Sequence, residues 1–115
     1  PVHPEILTFR KNMHIDQLAR GLDMDPELYR ELLALFVDNS QKELAEIQEA
    51  LSRQDFTRVS HLAHSVKGAA LNLGLNGIAG QAEALENPGN TEDYTRMESI
   101  AGQVLHKVNE LARLL

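Results

Sequence analysis

The residues best suited to chemistry in this 115-residue chain lie in one short run, His64-Ser65-Val66-Lys67-Gly68. A neutral imidazole is a good nucleophile near neutral pH, and its phosphoramidate is labile enough to pass a phosphoryl group onward. Lys67 follows the histidine closely and offers a cation to phosphoryl oxygens, where negative charge accumulates. The run therefore indicates phosphoryl transfer through His64.

Helical spacing predicts which way these side chains point. One apolar stripe recurs through the same segment, at Val59, Leu62, Ala63, Val66, Ala70 and Leu73. An advance of about 100° per residue puts His64 roughly 140° from this stripe and Gly68 nearly opposite to it. An exposed helical glycine costs about 1 kcal/mol relative to alanine, and an outward Leu71 adds apolar surface. An exposed glycine and an outward leucine both suit close approach by a partner protein. We therefore predict four partner-contact residues around His64: Ser60, His61, Gly68 and Leu71.

A carboxylate that orients the histidine can be placed by counting along the chain. Gly74 is well placed to end the helix of His64, about 15 Å further along its axis. On an antiparallel return helix, Glu86 then stands at the height of His64. We therefore predict that Glu86 accepts a hydrogen bond from one ring N–H of His64, which fixes the tautomer and leaves the other nitrogen to attack.

The helices that position these residues follow from caps and apolar spacing. Residues 1–14 are expected to form a partly ordered lead-in, followed by a short helix over residues 16–22. Asp25 and Pro26 are a strong start signal for a long helix that ends within residues 52–55. The remaining signals are a cap at Asp55, a break at Asn87-Pro88-Gly89-Asn90 and a cap at Thr91.

Four amphipathic helices of this kind bury their apolar stripes together by stacking. The sequence therefore predicts an all-α fold, an antiparallel up-down four-helix bundle over residues 15–115 with a short extra N-terminal helix. The composition agrees, because strong helix formers dominate and β-branched residues are few.

Charge and composition exclude several function classes. The net charge is −6 and no long basic run exists, so we expect no nucleic-acid partner. The apolar stretches are too short to cross a membrane, and the absence of cysteine fits a reducing interior, so we expect a cytoplasmic protein without membrane contact. The chain begins at Pro1 without Met, which leaves open whether it is free-standing or excised from a longer chain.

A metal site is an alternative use of the histidines. His61 and His64 are spaced so that both could bind a divalent cation, but no third ligand of clear position accompanies them, and a closed structural site needs four. The chain also lacks a Mg²⁺ carboxylate cluster and a glycine-rich phosphate loop. We therefore predict no metal and no cofactor in this chain, with Mg²⁺ expected in the partner.

The motif resembles the signature of histidine-containing phosphotransfer (HPt) domains. The resemblance rests on the run from His64 to Ala70, on Leu73-Gly74 and Leu85-Glu86, and on the surroundings of Leu35-Phe36, Leu51 and Asp55. It implies a four-helix bundle, phosphorylation of His64 at Nε2 and exchange with the aspartate of a response-regulator receiver domain. It also implies supporting roles for Lys67, Gly68 and Glu86. Ala82 stands where many relatives carry cysteine, at a core position.

Together these observations predict a monomeric phosphocarrier in a two-component phosphorelay, with catalysis supplied by its partner rather than by an enzyme activity of its own. The expected partners are a receiver domain and a sensor histidine kinase in the same or another chain. Two alternatives remain at this point. One is the phosphoacceptor domain of a chemotaxis-type histidine kinase, and the other is a helical adaptor that is not phosphorylated.

Overall fold

The computed structural model describes residues 4–86 and 93–115, with side chains from residue 13 onward. All regular secondary structure in these residues is helical. The helices are α1 (Pro4–Gly21), α2 (Pro26–Ser52), α3 (Phe56–Asn72), α4 (Asn76–Glu86) and α5 (Tyr94–Ala112). The predicted all-α class is confirmed.

The bundle is a closed ring of four helices, α2 to α5. α2 packs against α3 and α5, α4 packs against the same two helices, and α1 lies against α2. The Tyr29 hydroxyl, near the start of α2, donates to the Leu73 carbonyl just after α3 at 2.8 Å. Arg30 reaches the Leu114 carbonyl beyond α5 at 3.3 Å. Since the start of α2 meets the ends of its two neighbours, the helices run antiparallel, as predicted for an up-down bundle with an additional N-terminal helix.

Two of the predicted helix caps are present. The Asp25 carboxylate accepts a hydrogen bond from the Leu28 backbone N–H at 3.3 Å, and Pro26 occupies the first turn of α2. The Asp55 carboxylate accepts from the Arg58 backbone N–H at 3.2 Å at the start of α3. These bonds satisfy backbone donors that have no partner within a helix. The predicted break at residues 87–90 and the predicted cap at Thr91 lie outside the described residues.

The end of α3 sets the direction of the return helix. Gly74 has a φ of +71°, in the left-handed region. The Leu75 backbone N–H bonds the Ala70 carbonyl at 2.9 Å, and the Gly74 N–H bonds the Leu71 carbonyl at 3.1 Å. This is the Schellman pattern, in which a left-handed residue closes the helix. The predicted stop at Gly74 is confirmed, and α4 starts two residues later at Asn76.

The core confirms the predicted stripe on α3. All six of its residues are buried, and they share one core with four buried residues of α4: Ile78, Ala79, Ala82 and Leu85. Ala82 is a core residue, as expected. The last helix buries Met97, Ala101, Val104 and Val108, whereas Leu115 remains 42% exposed.

The N-terminal helix is longer than predicted. It begins at Pro4 rather than near residue 16, so most of the expected lead-in is helical. The prediction relied on apolar spacing, and only Ile15 and Ala19 of the side chains described in α1 are buried. After Pro4 the segment contains no glycine or proline before Gly21, so nothing in its backbone stops the helix. The division into residues 1–14 and 15–115 stays a prediction.

No helix in the described part of the chain has both the length and the apolar character needed to span a membrane.

A pair of glycine substitutions tests the role of Gly74. Gly74→Ala forces a side chain into the left-handed region and should lower the free energy of unfolding by about 1 to 2 kcal/mol. Gly102→Ala, in the exposed interior of α5, should raise it by about 0.5 to 1 kcal/mol, because alanine is the better helix former and its methyl group meets nothing within 4 Å. Urea unfolding measures both values. Equal effects of the two substitutions would contradict a special backbone role for Gly74.

Candidate functional site

Three side chains on one face of α3 converge on the last residue of α4. Ser60, His64 and Lys67 are spaced so that they follow one another along a single side of the helix. Each of them contacts Glu86, the final residue of α4. The predicted height of Glu86 on the return helix is therefore observed, and the site is built from these four residues.

His64 is held at one ring nitrogen and open elsewhere. Its Nδ1 lies 2.5 Å from Oε1 of Glu86, and its side chain is 70% exposed. The Glu86 side chain is only 19% exposed, so the carboxylate is largely shielded from solvent. Within the described residues Nε2 has no hydrogen-bond partner. The predicted outward position of His64 and its predicted contact with Glu86 are both present.

The charge of Glu86 determines the tautomer of His64. Its hydrogen bond with Lys67, and then that with His64, lowers the pKa of the Glu86 carboxyl below 4.5, against the opposing effect of burial. The carboxyl is therefore ionised at neutral pH, and an ionised carboxylate can only accept hydrogen bonds. A neutral His64 ring must then carry its proton on Nδ1 and donate it to Glu86. This leaves the lone pair on Nε2, which faces no other group of the site.

Lys67 belongs to the site through Glu86. Its Nζ lies 2.8 Å from Oε2 of Glu86, and its side chain is 23% exposed. The hydrogen bond with Glu86 raises the pKa of Lys67 above 10.5; burial opposes this change, and the charges of Glu86 and Glu83 reinforce it. The sequence predicts a cation for the phosphoryl oxygens, and the structure shows the ammonium of Lys67 bound to the carboxylate that holds the imidazole. Its predicted contact with phosphoryl oxygens stays a prediction.

The predicted partner-contact residues differ in their surroundings. His61 is exposed, Leu71 is 52% exposed, and a Cβ added at Gly68 would meet nothing within 4 Å. These three residues leave the face of α3 around His64 accessible. Ser60 is different, because its hydroxyl donates to the Glu86 backbone carbonyl at 2.6 Å and is partly buried. Its predicted contact with a partner stays a prediction.

Sequence reasoning missed two features of the structure. The links from Ser60 and Lys67 to Glu86 were not foreseen, although the helical spacing of the two residues with His64 was a usable signal. Two exposed leucines on the outer side of α2 were also missed, Leu28 at 46% and Leu35 at 60% exposure. A search for apolar stripes looks for the residues that a helix buries, so it gives no signal for leucines that stay exposed.

The side chains described in the structure include no group of three or more His, Asp or Glu residues arranged to hold a metal ion. His61 and His64 are accordingly without a third ligand in that part of the chain.

Comparisons with known proteins identify the family of the chain. The profile of the Hpt domain family matches residues 31–114. "Phosphorelay intermediate protein YPD1" of Saccharomyces cerevisiae is 30% identical over 73 residues, which cover 63% of this chain and 44% of that protein. The protein of the same name in Candida albicans is 28% identical over 78 residues, covering 67% of this chain and 42% of that protein.

The chain thus spans less than half the length of these curated relatives. The comparison with solved structures found no significant match. The matched residues, 31–114, include α3, α4, α5 and all but the first five residues of α2, together with the four residues of the site. This chain belongs to the Hpt domain family.

Proposed function

We propose that this chain is a histidine phosphotransfer domain of a two-component phosphorelay, which carries a phosphoryl group on Nε2 of His64 between receiver-domain aspartates. The observation that carries the proposal is the His64–Glu86 contact, in which a carboxylate holds Nδ1 of an exposed ring. Membership of the Hpt family supports it, as do the two relatives named phosphorelay intermediates.

In the transfer step, the lone pair of Nε2 forms the N–P bond while the P–O bond to the partner's aspartate breaks. The bonding electron pair stays with the aspartate, which becomes a carboxylate. The proton on Nδ1 is not transferred, so the ring acquires positive charge as the N–P bond forms. The Glu86 carboxylate beside Nδ1 stabilises that charge, in the way a buried carboxylate stabilises an imidazolium in hydrolases. Transfer onward reverses these changes.

Lys67 supplies a positive charge to the carboxylate that holds His64. Its ammonium is bound to Glu86, and a phosphoryl group on His64 offers it a second anionic partner. We propose that Lys67 stabilises the phosphoryl oxygens and limits their repulsion with Glu86. The residue would then serve both the carboxylate that orients His64 and the group that His64 carries.

The exposed position of His64 suits a carrier that depends on its partner for catalysis. The open space at Gly68 lets the active site of a receiver domain approach Nε2. Leu71 then offers an apolar contact to that domain, and His61 offers a polar one. Mg²⁺ and the remaining catalytic groups are proposed to belong to that receiver domain. We further propose that the domain acts as a monomer in the cytoplasm, with a sensor histidine kinase earlier in the same relay.

Replacement of His64 tests this function directly. Incubation with a phosphorylated receiver domain should label the wild-type protein with acid-labile phosphate, and His64→Gln should abolish the labelling because the nucleophilic nitrogen is lost. His106→Gln, which changes an exposed histidine on α5, is the matched control and should be labelled normally. Labelling of His64→Gln at the wild-type level would contradict the proposal, as would failure of the wild-type protein to accept phosphate.

Substitutions of Glu86 test its effect on the ring. Glu86→Ala removes the acceptor at Nδ1 and should slow phosphorylation of His64 by about tenfold to a hundredfold. In ¹⁵N NMR spectra of the ring, the Nδ1-protonated tautomer should lose its dominance in this variant. Glu83→Ala removes the same charge from α4 without touching His64 and is the control. An unchanged rate and tautomer in Glu86→Ala would remove the orienting role.

The lowered pKa of Glu86 also predicts a pH dependence of stability. The ionised carboxylate stabilises the fold above its ordinary pKa of 4.5, and this contribution is lost as the pH falls through the lower pKa of the folded state. Glu86→Gln resembles the protonated side chain, so its unfolding free energy should lie below that of the wild type at pH 7 and approach it in acid. Urea unfolding across this pH range measures the difference. A difference that stays constant down to pH 2 would be incompatible with this effect.

A further inference from the structure

The Ser60 hydroxyl donates to an acceptor outside its own helix. A serine inside a helix commonly bonds a carbonyl of the preceding turn of its own helix. Ser60 instead donates across the interface between α3 and α4, to the backbone carbonyl of Glu86 at 2.6 Å. The bond is partly buried and joins residues that are 26 positions apart in the chain. It is therefore a tertiary contact.

The acceptor belongs to the end of α4. Glu86 is the last residue of α4, and the final carbonyls of a helix have no partner within the helix. Helix ends open locally more easily than helix centres do. The Ser60 hydroxyl satisfies one of these carbonyls and ties the end of α4 to α3.

The same residue carries the carboxylate that holds His64. Oε1 of Glu86 lies 2.5 Å from Nδ1, a contact that small movements of the α4 backbone would break. Supporting residues of this kind must keep a reactive group within about 0.5 Å of its working position. Lys67 holds the other carboxylate oxygen, but it is a flexible side chain and does not fix the backbone.

We infer that Ser60 is a positioning residue for the phosphotransfer site: its hydrogen bond to the Glu86 backbone places the Glu86 carboxylate against Nδ1 of His64. This role rests on the proposed function and goes beyond it, since Ser60 contacts neither the reacting nitrogen nor the phosphoryl group. It also assigns the Ser60 hydroxyl a task within the chain rather than in partner recognition.

The test compares three variants with the wild-type chain. Ser60→Ala removes the hydroxyl, and Ser60→Thr keeps a hydroxyl at the same position. Ser52→Ala is the matched control, because the Ser52 hydroxyl also donates to a backbone carbonyl at 2.6 Å, that of Glu49, but within α2 and without contact to the site. Thermal unfolding is recorded for each variant, so that comparisons are made where all of them are folded.

Two readouts follow the position of Glu86. ¹⁵N NMR gives the fraction of the His64 ring protonated on Nδ1, and phosphoramidate, a small phosphoryl donor, gives the rate of phosphorylation without a partner protein. In Ser60→Ala the Nδ1-protonated fraction should fall and the rate should drop about threefold to tenfold, as expected for loss of one hydrogen bond. Ser60→Thr and Ser52→Ala should match the wild type in both readouts.

Each contrary outcome has one meaning. Equal spectra and rates for Ser60→Ala and the wild type overturn the positioning role of Ser60 alone. A slower rate in Ser60→Ala with an unchanged His64 spectrum also overturns it, because the effect then does not pass through Glu86. Failure of the wild-type chain to accept a phosphoryl group at His64, from phosphoramidate or from a receiver domain, overturns the proposed function itself, and the wild-type sample alone reveals this.

Discussion

The arrangement of the site depends on the contact between the last residue of α4 and one face of α3. Glu86 uses three of its oxygen atoms there: Oε1 toward His64, Oε2 toward Lys67 and the backbone oxygen toward Ser60. A residue at a helix end has little support from its own helix. The orientation of His64 therefore depends on how α3 and α4 are held relative to each other, more than on hydrogen bonds within α4.

The relative position of α3 and α4 is fixed at the turn and in the core between them. Gly74 closes α3 in the left-handed conformation, which lets α4 return after only a few residues. The facing surfaces are rich in fully buried alanine, at Ala63 and Ala70 of α3 and nearly so at Ala79 and Ala82 of α4. Leu85 is completely buried immediately before Glu86. A change in register would have to expose this leucine, at a cost of about 1.5 to 3 kcal/mol.

Much of this could be predicted because it follows from repeating geometry. The outward direction of His64 required only the helical step, and the height of Glu86 required only counting through Gly74. The extent of α1 could not be found in the same way, since most of that helix shows no apolar periodicity. For Lys67 and Ser60, helical spacing indicates only that they share a side of α3 with His64, and it does not identify the atoms that accept their hydrogen bonds. A lysine has many rotamers and a serine hydroxyl has local and distant acceptors, so their choice depends on where the neighbouring helix places a carboxylate and a carbonyl.

The charges of the site explain why a phosphoryl group would be carried there and not retained. With His64 neutral, the charges of Lys67 and Glu86 cancel across 2.8 Å. A phosphoryl group brings a charge of about −1.5 to −2, and the ring acquires at most one positive charge in return. The site then has excess negative charge in a chain whose net charge is already −6. Lys67 must also divide its attraction between the phosphoryl oxygens and Glu86. In the proposed transfer, the Glu86 carboxylate therefore has two opposed effects on the phosphohistidine: it stabilises the positive ring at Nδ1 and repels the phosphoryl oxygens. The repulsion limits the stability of the phosphohistidine, which suits a group that is passed on.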